Sequence, residues 1–251
     1  ESLLFQHVRT ETKLVILDHT TSNTALNYPI EKLAKASKRI NSNIKVLVDG
    51  AHSMLAKDLD FKALEECGVD YFVSNGHKWA STPKGFGFLW VKANLTDSIH
   101  PPLISHGHGS GYLSEFSWQG CADYSVPLSI PFLLDFWSAF GTSKVRMYQS
   151  TLLNQAMDLL EAEWHHHDAD VMRIAPRRFH GPMGLVRLPE ALQRGSDFVN
   201  VIQNRLHFEH RIEAPIKLCN DQLYVRISSH IYNTIEDYQH LSLAIKRLSD
   251  T

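Results

Sequence analysis

The stretch DYFVSNGHKWASTPKG, residues 70–85, decides the reading of this chain. Its first part, ending at Ser74, is the kind of apolar run that forms a buried strand, and its second is punctuated by Gly76, Pro83 and Gly85. Between them stand His77 and Lys78, two cationic side chains held side by side. Like charges repel and each resists desolvation, so the pair predicts an anion beside it.

Outward from this stretch, apolar runs at Val15–Leu17, Ile44–Val48, Tyr71–Ser74 and Phe86–Val91 predict strands. Helices are expected over Ile30–Ile40 and, more briefly, between an N-cap at Asp60 and a stop at Gly68. The alternation predicts an α/β domain, a mostly parallel sheet with helices on both faces. Ligands of such sheets lie outside the carboxyl ends of the strands. Polar chemistry follows three of the strands, at His19–Asn23, Asp49–His52 and Ser74–Lys78.

The second half changes character. Pro127 to Phe140 is strongly apolar and predicts a buried helix, and Thr142 to Glu163 a long amphipathic one. MGLVRLP, RIEAPIK and LYVRIS then read as strands, with helices over Asp197–His207 and after Thr234, which stands at capping-box spacing from Asp237. A small C-terminal α+β domain is expected, with the chain dividing into residues 1–135 and 136–251.

Lys and Arg number 25 against 27 Asp and Glu, a net charge of −2. No basic field exists to attract nucleic acid or an anionic membrane, and no apolar run reaches membrane-spanning length. Cys67, Cys121 and Cys219 are widely spaced and odd in number, so neither a disulfide framework nor a zinc knuckle is expected, and a reducing, cytoplasmic compartment is. The N-terminus lacks the order of a signal peptide, and KLVILDH at residues 13–19 reads as a buried strand almost at once. The sequence therefore reads as a fragment that begins inside a domain.

VLVDGAH, followed 29 residues after its Asp by the Lys of SNGHK, and then STPKGFGFLWV, SHGHGSGYLSEFSWQGCADYS and LYVRISSHIYNTIEDYQHL, together resemble the class V aminotransferase family of fold-type I pyridoxal-phosphate enzymes. The likeness is greatest to the isopenicillin N epimerase-like branch. It implies an incomplete fold-type I large domain followed by the small domain, and a pyridoxal 5'-phosphate enzyme acting on an amino acid.

By the same resemblance, Lys78 forms the internal aldimine, its amine kept nucleophilic by the neighbouring His77. Asp49 faces the pyridine nitrogen, where an ion pair at roughly 4 Å and an effective dielectric of about 20 contributes about 4 kcal/mol, or about three pK units. His52 lies near the ring, Ser22 beside it, and Asn75 and His77 align with phosphate-binding positions. Arg226 matches the arginine that grips the substrate carboxylate, a role suited to a planar bidentate donor. Epimerisation, transamination and C–S elimination all start from the same Cα carbanion, and the motifs leave the choice open. A homodimer is implied, with residues 105–121 as the loop lent to the partner.

Departures from the pattern support a second expectation, a truncated or decayed non-catalytic homologue. Cys121 stands where relatives commonly place a phosphate-binding threonine, Ala122 where the branch often has arginine, and the family's phosphate loop and ring-stacking aromatic belong to sequence before Glu1. A third expectation, a histidine-based metal hydrolase, rests on His106, His108 and HHHD at 165–168. These lack a convergent third ligand, so no metal ligand is assigned. Cys219, seven residues before Arg226, reads as a packed or turn cysteine rather than a persulfide-forming nucleophile.

Overall fold

A computed structural model describes residues 6–117, 120–165 and 173–250. These residues form two compact units: the chain up to His19 with Tyr28–Ala139, and Thr20–Asn27 with Phe140 onward.

In the first unit, β1 (Leu14–Asp18), β2 (Lys45–Asp49), β3 (Tyr71–Asn75) and β4 (Gly87–Val91) lie side by side in chain order. The first three are parallel and β4 runs back antiparallel to β3. The period-two burial of β2 sends Val46 and Val48 into the core, where they join Leu17, Ile30, Ala34, Leu64 and Phe72. Helix α1 (Ile30–Ile40) repeats small or apolar residues at positions 30, 33, 34 and 37, the spacing of one helical face. Its Lys38 Nζ donates to Asp70 Oδ2 at 2.6 Å, and the same oxygen accepts from the Val46 N–H at 2.8 Å. One buried carboxylate thus ties helix, central strand and the approach to β3.

Helix α2 (Phe61–Glu66) starts where Asp60 accepts from the Ala63 N–H at 3.0 Å, and Gly68 ends the turn at φ +102°. Both signals stand where the sequence put them. Helices α3 (Tyr112–Ser117), α4 (Ser125–Leu128) and α5 (Ile130–Phe140) complete the unit. The helix expected to be buried over Pro127–Phe140 is instead two helices, and within α5 only Trp137 is buried, donating from its indole to the Ala80 carbonyl at 2.7 Å. Phe132 is 71% exposed and Leu134 and Phe136 are also open. Apolar composition signals that a surface needs covering, without saying which chain covers it.

The second unit contains α6 (Thr142–Trp164), β5 (Met183–Arg187), α7 (Phe198–His210), β6 (Ile216–Cys219), β7 (Gln222–Ser228) and α8 (Ile235–Ser249). Its antiparallel sheet has the order β5-β7-β6. Asn220 and Asp221, both at positive φ, make the two-residue turn between β6 and β7. Leu153, Met157, Leu160, Leu206, Val225 and Ile245 are fully enclosed between sheet and helices. Thr234 and Asp237 form the expected capping box. The strand expected over residues 211–217 begins only at Ile216: Arg211 ends α7 in the left-handed conformation, and Pro215 has no N–H to give a ladder.

Candidate functional site

Parallel pairing brings the carboxyl ends of β1, β2 and β3 to one edge of the first sheet. Asp18 pairs in register with Asp49, and Asp49 with Val73, so Asn75 projects two residues beyond. Asp49 closes a tight turn by accepting from the Ala51 N–H at 2.9 Å through Oδ1, and its second oxygen makes no hydrogen bond among the described residues. On the adjacent strand, burial and then the charge of Asp49 push the Asp18 carboxyl up. Two acids therefore mark this edge.

His52 follows on the same turn, and its Nδ1 accepts from the Trp79 indole N–H at 3.3 Å. Trp79 is buried, so the ring that precedes Ala80 anchors the Lys78 turn against the Asp49 turn. Beyond β3, the Asn75 Oδ1 is buried without a hydrogen-bond partner among the described residues. Gly76 is confined, because a Cβ there would lie 2.4 Å from Thr82 Cγ2 and 2.8 Å from Phe86 Cδ1. His77 and Lys78 are exposed. The polypeptide just after them is strained, with Ser81 at φ 55°.

Ser22 and Arg226 belong to the second unit and meet each other there. Arg226 Nη1 donates to the Ser22 carbonyl at 2.5 Å and to its hydroxyl at 3.0 Å. Burial pulls the guanidinium below its ordinary value, its Nε is buried without a partner, and no carboxylate pairs with it among the described residues. It lines a cavity of about 310 Å³ with Pro215, Tyr232, Asn233 and Tyr238.

Sequence reasoning missed Asp18 and Trp79, and it placed His19 in the polar stretch after the first strand without its partner, the hydroxyl of Ser53, 34 positions on. A register argument from the paired strands could have found Asp18; no local pattern announces the others. His106 and His108 are exposed, and among the described residues no group of three or more His, Cys, Asp or Glu is arranged to hold a metal. His166–Asp168 lie outside the described residues. Cys219 is part-buried at the end of β6, and burial pushes its thiol up, away from the thiolate that a persulfide nucleophile needs. No described helix is long and apolar enough to cross a membrane.

Residues 1–124 match the family described as Aminotransferase class-V. A probable L-cysteine desulfhydrase, chloroplastic, of Arabidopsis thaliana is 31% identical over 94% of this chain and 51% of its own length. An isopenicillin N epimerase of Amycolatopsis lactamdurans is 28% identical over 95% of this chain and 60% of that protein. Among solved structures, the cystine C–S lyase C-DES superposes with a TM-score of 0.71 at 26% identity, covering 99% of this chain and 64% of that one. A NifS-like protein superposes at 0.77 with 20% identity, a likeness of fold, over 100% of this chain and 65% of its own. The chain spans about half the length of the desulfhydrases it matches. Its fold is that of the fold-type I enzymes, and its residues 1–124 belong to the class V aminotransferase family.

Proposed function

We propose that this protein is a pyridoxal 5'-phosphate enzyme acting on an amino acid, with elimination of a β-sulfur substituent as its reaction. The observation that carries the reading is the common edge to which β2 and β3 deliver Asp49 and the Asn75–Lys78 turn. The residues present fit the cofactor: Asp49 has a carboxylate oxygen without a hydrogen bond among the described residues, open to a donor such as a protonated ring nitrogen, and the Asn75 side chain at the same edge carries an amide NH2 that can donate to an anion.

When bound, the cofactor supplies an electron sink for the pair left behind as a Cα–H bond breaks. Asp49 would hold the proton on the ring nitrogen, His52 would border the ring, and Asn75 and His77 would receive the phosphate. Lys78 would provide the amine that binds the cofactor covalently and then takes the substrate's Cα proton. In the second unit, Ser22 orients Arg226, a desolvated guanidinium suited to an amino acid's carboxylate.

Elimination is favoured by the likeness to several proteins named L-cysteine desulfhydrase and to a cystine C–S lyase. The burial of Cys219, whose thiol is pushed up, weighs against sulfur transfer to an enzyme thiol. The likeness to isopenicillin N epimerase supports epimerisation as the second reading. The open apolar side chains of α5 support a homodimer, and three free thiols a reducing compartment.

Incubation of the purified protein with pyridoxal phosphate and L-cysteine in D2O separates these readings. Sulfide release is expected. Deuterium at Cα in both configurations without sulfide would instead favour epimerisation, and neither product would favour the non-catalytic homologue.

A further inference from the structure

The turn that follows β2 is held from two neighbouring strands. On the β3 side, the Gly50 N–H donates to the Val73 carbonyl at 2.7 Å, and the Ser74 hydroxyl donates to the Gly50 carbonyl at 2.6 Å. Phe72 closes the space beneath, since a Cβ on Gly50 would lie 2.2 Å from its ring. On the β1 side, His19 makes the connection. The His19 N–H donates to the Asp49 carbonyl at 2.8 Å, its own carbonyl accepts from the Tyr28 N–H at 3.0 Å, and its Nδ1 lies 2.9 Å from Ser53 Oγ. The ring also meets Phe72 edge to face, with centroids 6.2 Å apart.

Ser53 is fully buried, and its backbone closes the same turn by donating to the Gly50 carbonyl at 2.8 Å. Lys57 N–H in turn donates to the Ser53 carbonyl at 2.9 Å. Between Ser53 and Lys57 the backbone passes through Leu55 at φ 67°, a conformation a γ-branched residue keeps only where its surroundings hold it. The segment bearing Asp49 and His52 is thus held by Ser74 and Trp79 from the β3 side and by His19 from the β1 side, with a strained residue, Leu55, just after it.

We infer that His19 is a positioning residue, whose hydrogen bond with Ser53 sets the pose of the Asp49–His52 turn toward the cofactor. The inference rests on the cofactor reading above. Burial, and then the nearby charge of Lys57, push the imidazole down to about 4, so at neutral pH the ring offers one N–H and one lone pair. A neutral imidazole can take either role toward a hydroxyl, whereas a protonated one would bring a second cation beside Lys57.

The test compares His19→Phe, which keeps an aromatic ring against Phe72, with Ser53→Ala and with His19→Asn, which retains a polar group near the position of Nδ1. In the cofactor-free protein, amide hydrogen exchange at Ala51 and Ser53 is expected to quicken at least tenfold in His19→Phe and Ser53→Ala, with Val46–Val48 unchanged and His19→Asn partly restored. With pyridoxal phosphate added, the pH midpoint of the visible band is expected to shift in the first two variants, the double variant behaving like either single one. Unchanged exchange at Ala51 and Ser53 would overturn the clamp. Faster exchange with an unshifted midpoint, or additive shifts in the double variant, would overturn its positioning role. A wild-type protein without a Lys78-dependent band would overturn the cofactor reading, and with it the positioning role, leaving the exchange data to decide the clamp alone.

Discussion

His19 gives the molecule a measurable acid limit. The unfolded chain protonates this ring at its ordinary value of 6.5, while the folded protein resists until about 4. As pH falls through that window the unfolded state takes up a proton the native state refuses, so stability declines on acidification, by about 3 kcal/mol in total. Urea midpoints measured between pH 7 and pH 4 should fall accordingly, and His19→Phe should flatten the decline. At Arg226 the expectation concerns ligand binding: Arg226→Gln should weaken binding of a carboxylate-bearing amino acid by about 1.5–3 kcal/mol in calorimetry, the range for a hydrogen bond to a charged group. An unchanged affinity would remove Arg226 from that role. The sequence exposed the residues whose meaning is carried by neighbours, such as Asp49 at the end of an apolar run and Lys78 after Gly76. It hid the His19–Ser53 contact and the Trp79–His52 contact, because the first depends on β1 lying beside β2 and the second on a turn folding back over 27 positions.

At the scale of elements, local chemistry and outcome agree wherever a signal satisfies a backbone group directly. Asp60 caps α2 and Thr234 caps α8, each accepting from orphan N–H groups of a first turn. Thr234→Ala should cost about 1 kcal/mol in chemical unfolding. A larger loss is expected at the junction of α1, β2 and β3: Asp70→Ala would leave Lys38 and the Val46 N–H facing a gap, at a cost of about 3 kcal/mol. If Asp70→Ala unfolded at the wild-type urea midpoint, the buried carboxylate would be no more than a space filler. Where the signal is composition alone, the reading fails. The segment over Pro127–Phe140 is as apolar as a core helix, yet only Trp137 of α5 is buried. Hydrophobicity reports the free energy of covering a side chain and is silent about the covering partner.

The whole molecule is α/β in one unit and α+β in the other, and both classes follow from the order of strands and helices along the chain. The open apolar residues of α5 belong to this scale. Phe132 and Phe136, four residues apart, share one helical face, and their exposure in a single chain is expected to end in a homodimer. Light scattering should then give twice the chain mass, and Phe132→Glu should shift the protein toward monomer without loss of helix content; a monomeric wild type would contradict this. At this scale too belongs the proposed pairing of an acid, Asp49, and an amine, Lys78, at one sheet edge toward the same cofactor. Its most direct measurement is reduction of the pyridoxal-phosphate-treated protein with borohydride, followed by peptide mapping. A stable pyridoxyl adduct is expected on Lys78 in wild type, markedly diminished in Asp49→Ala. Adduct spread over surface lysines, with Lys78 unmodified, would contradict it.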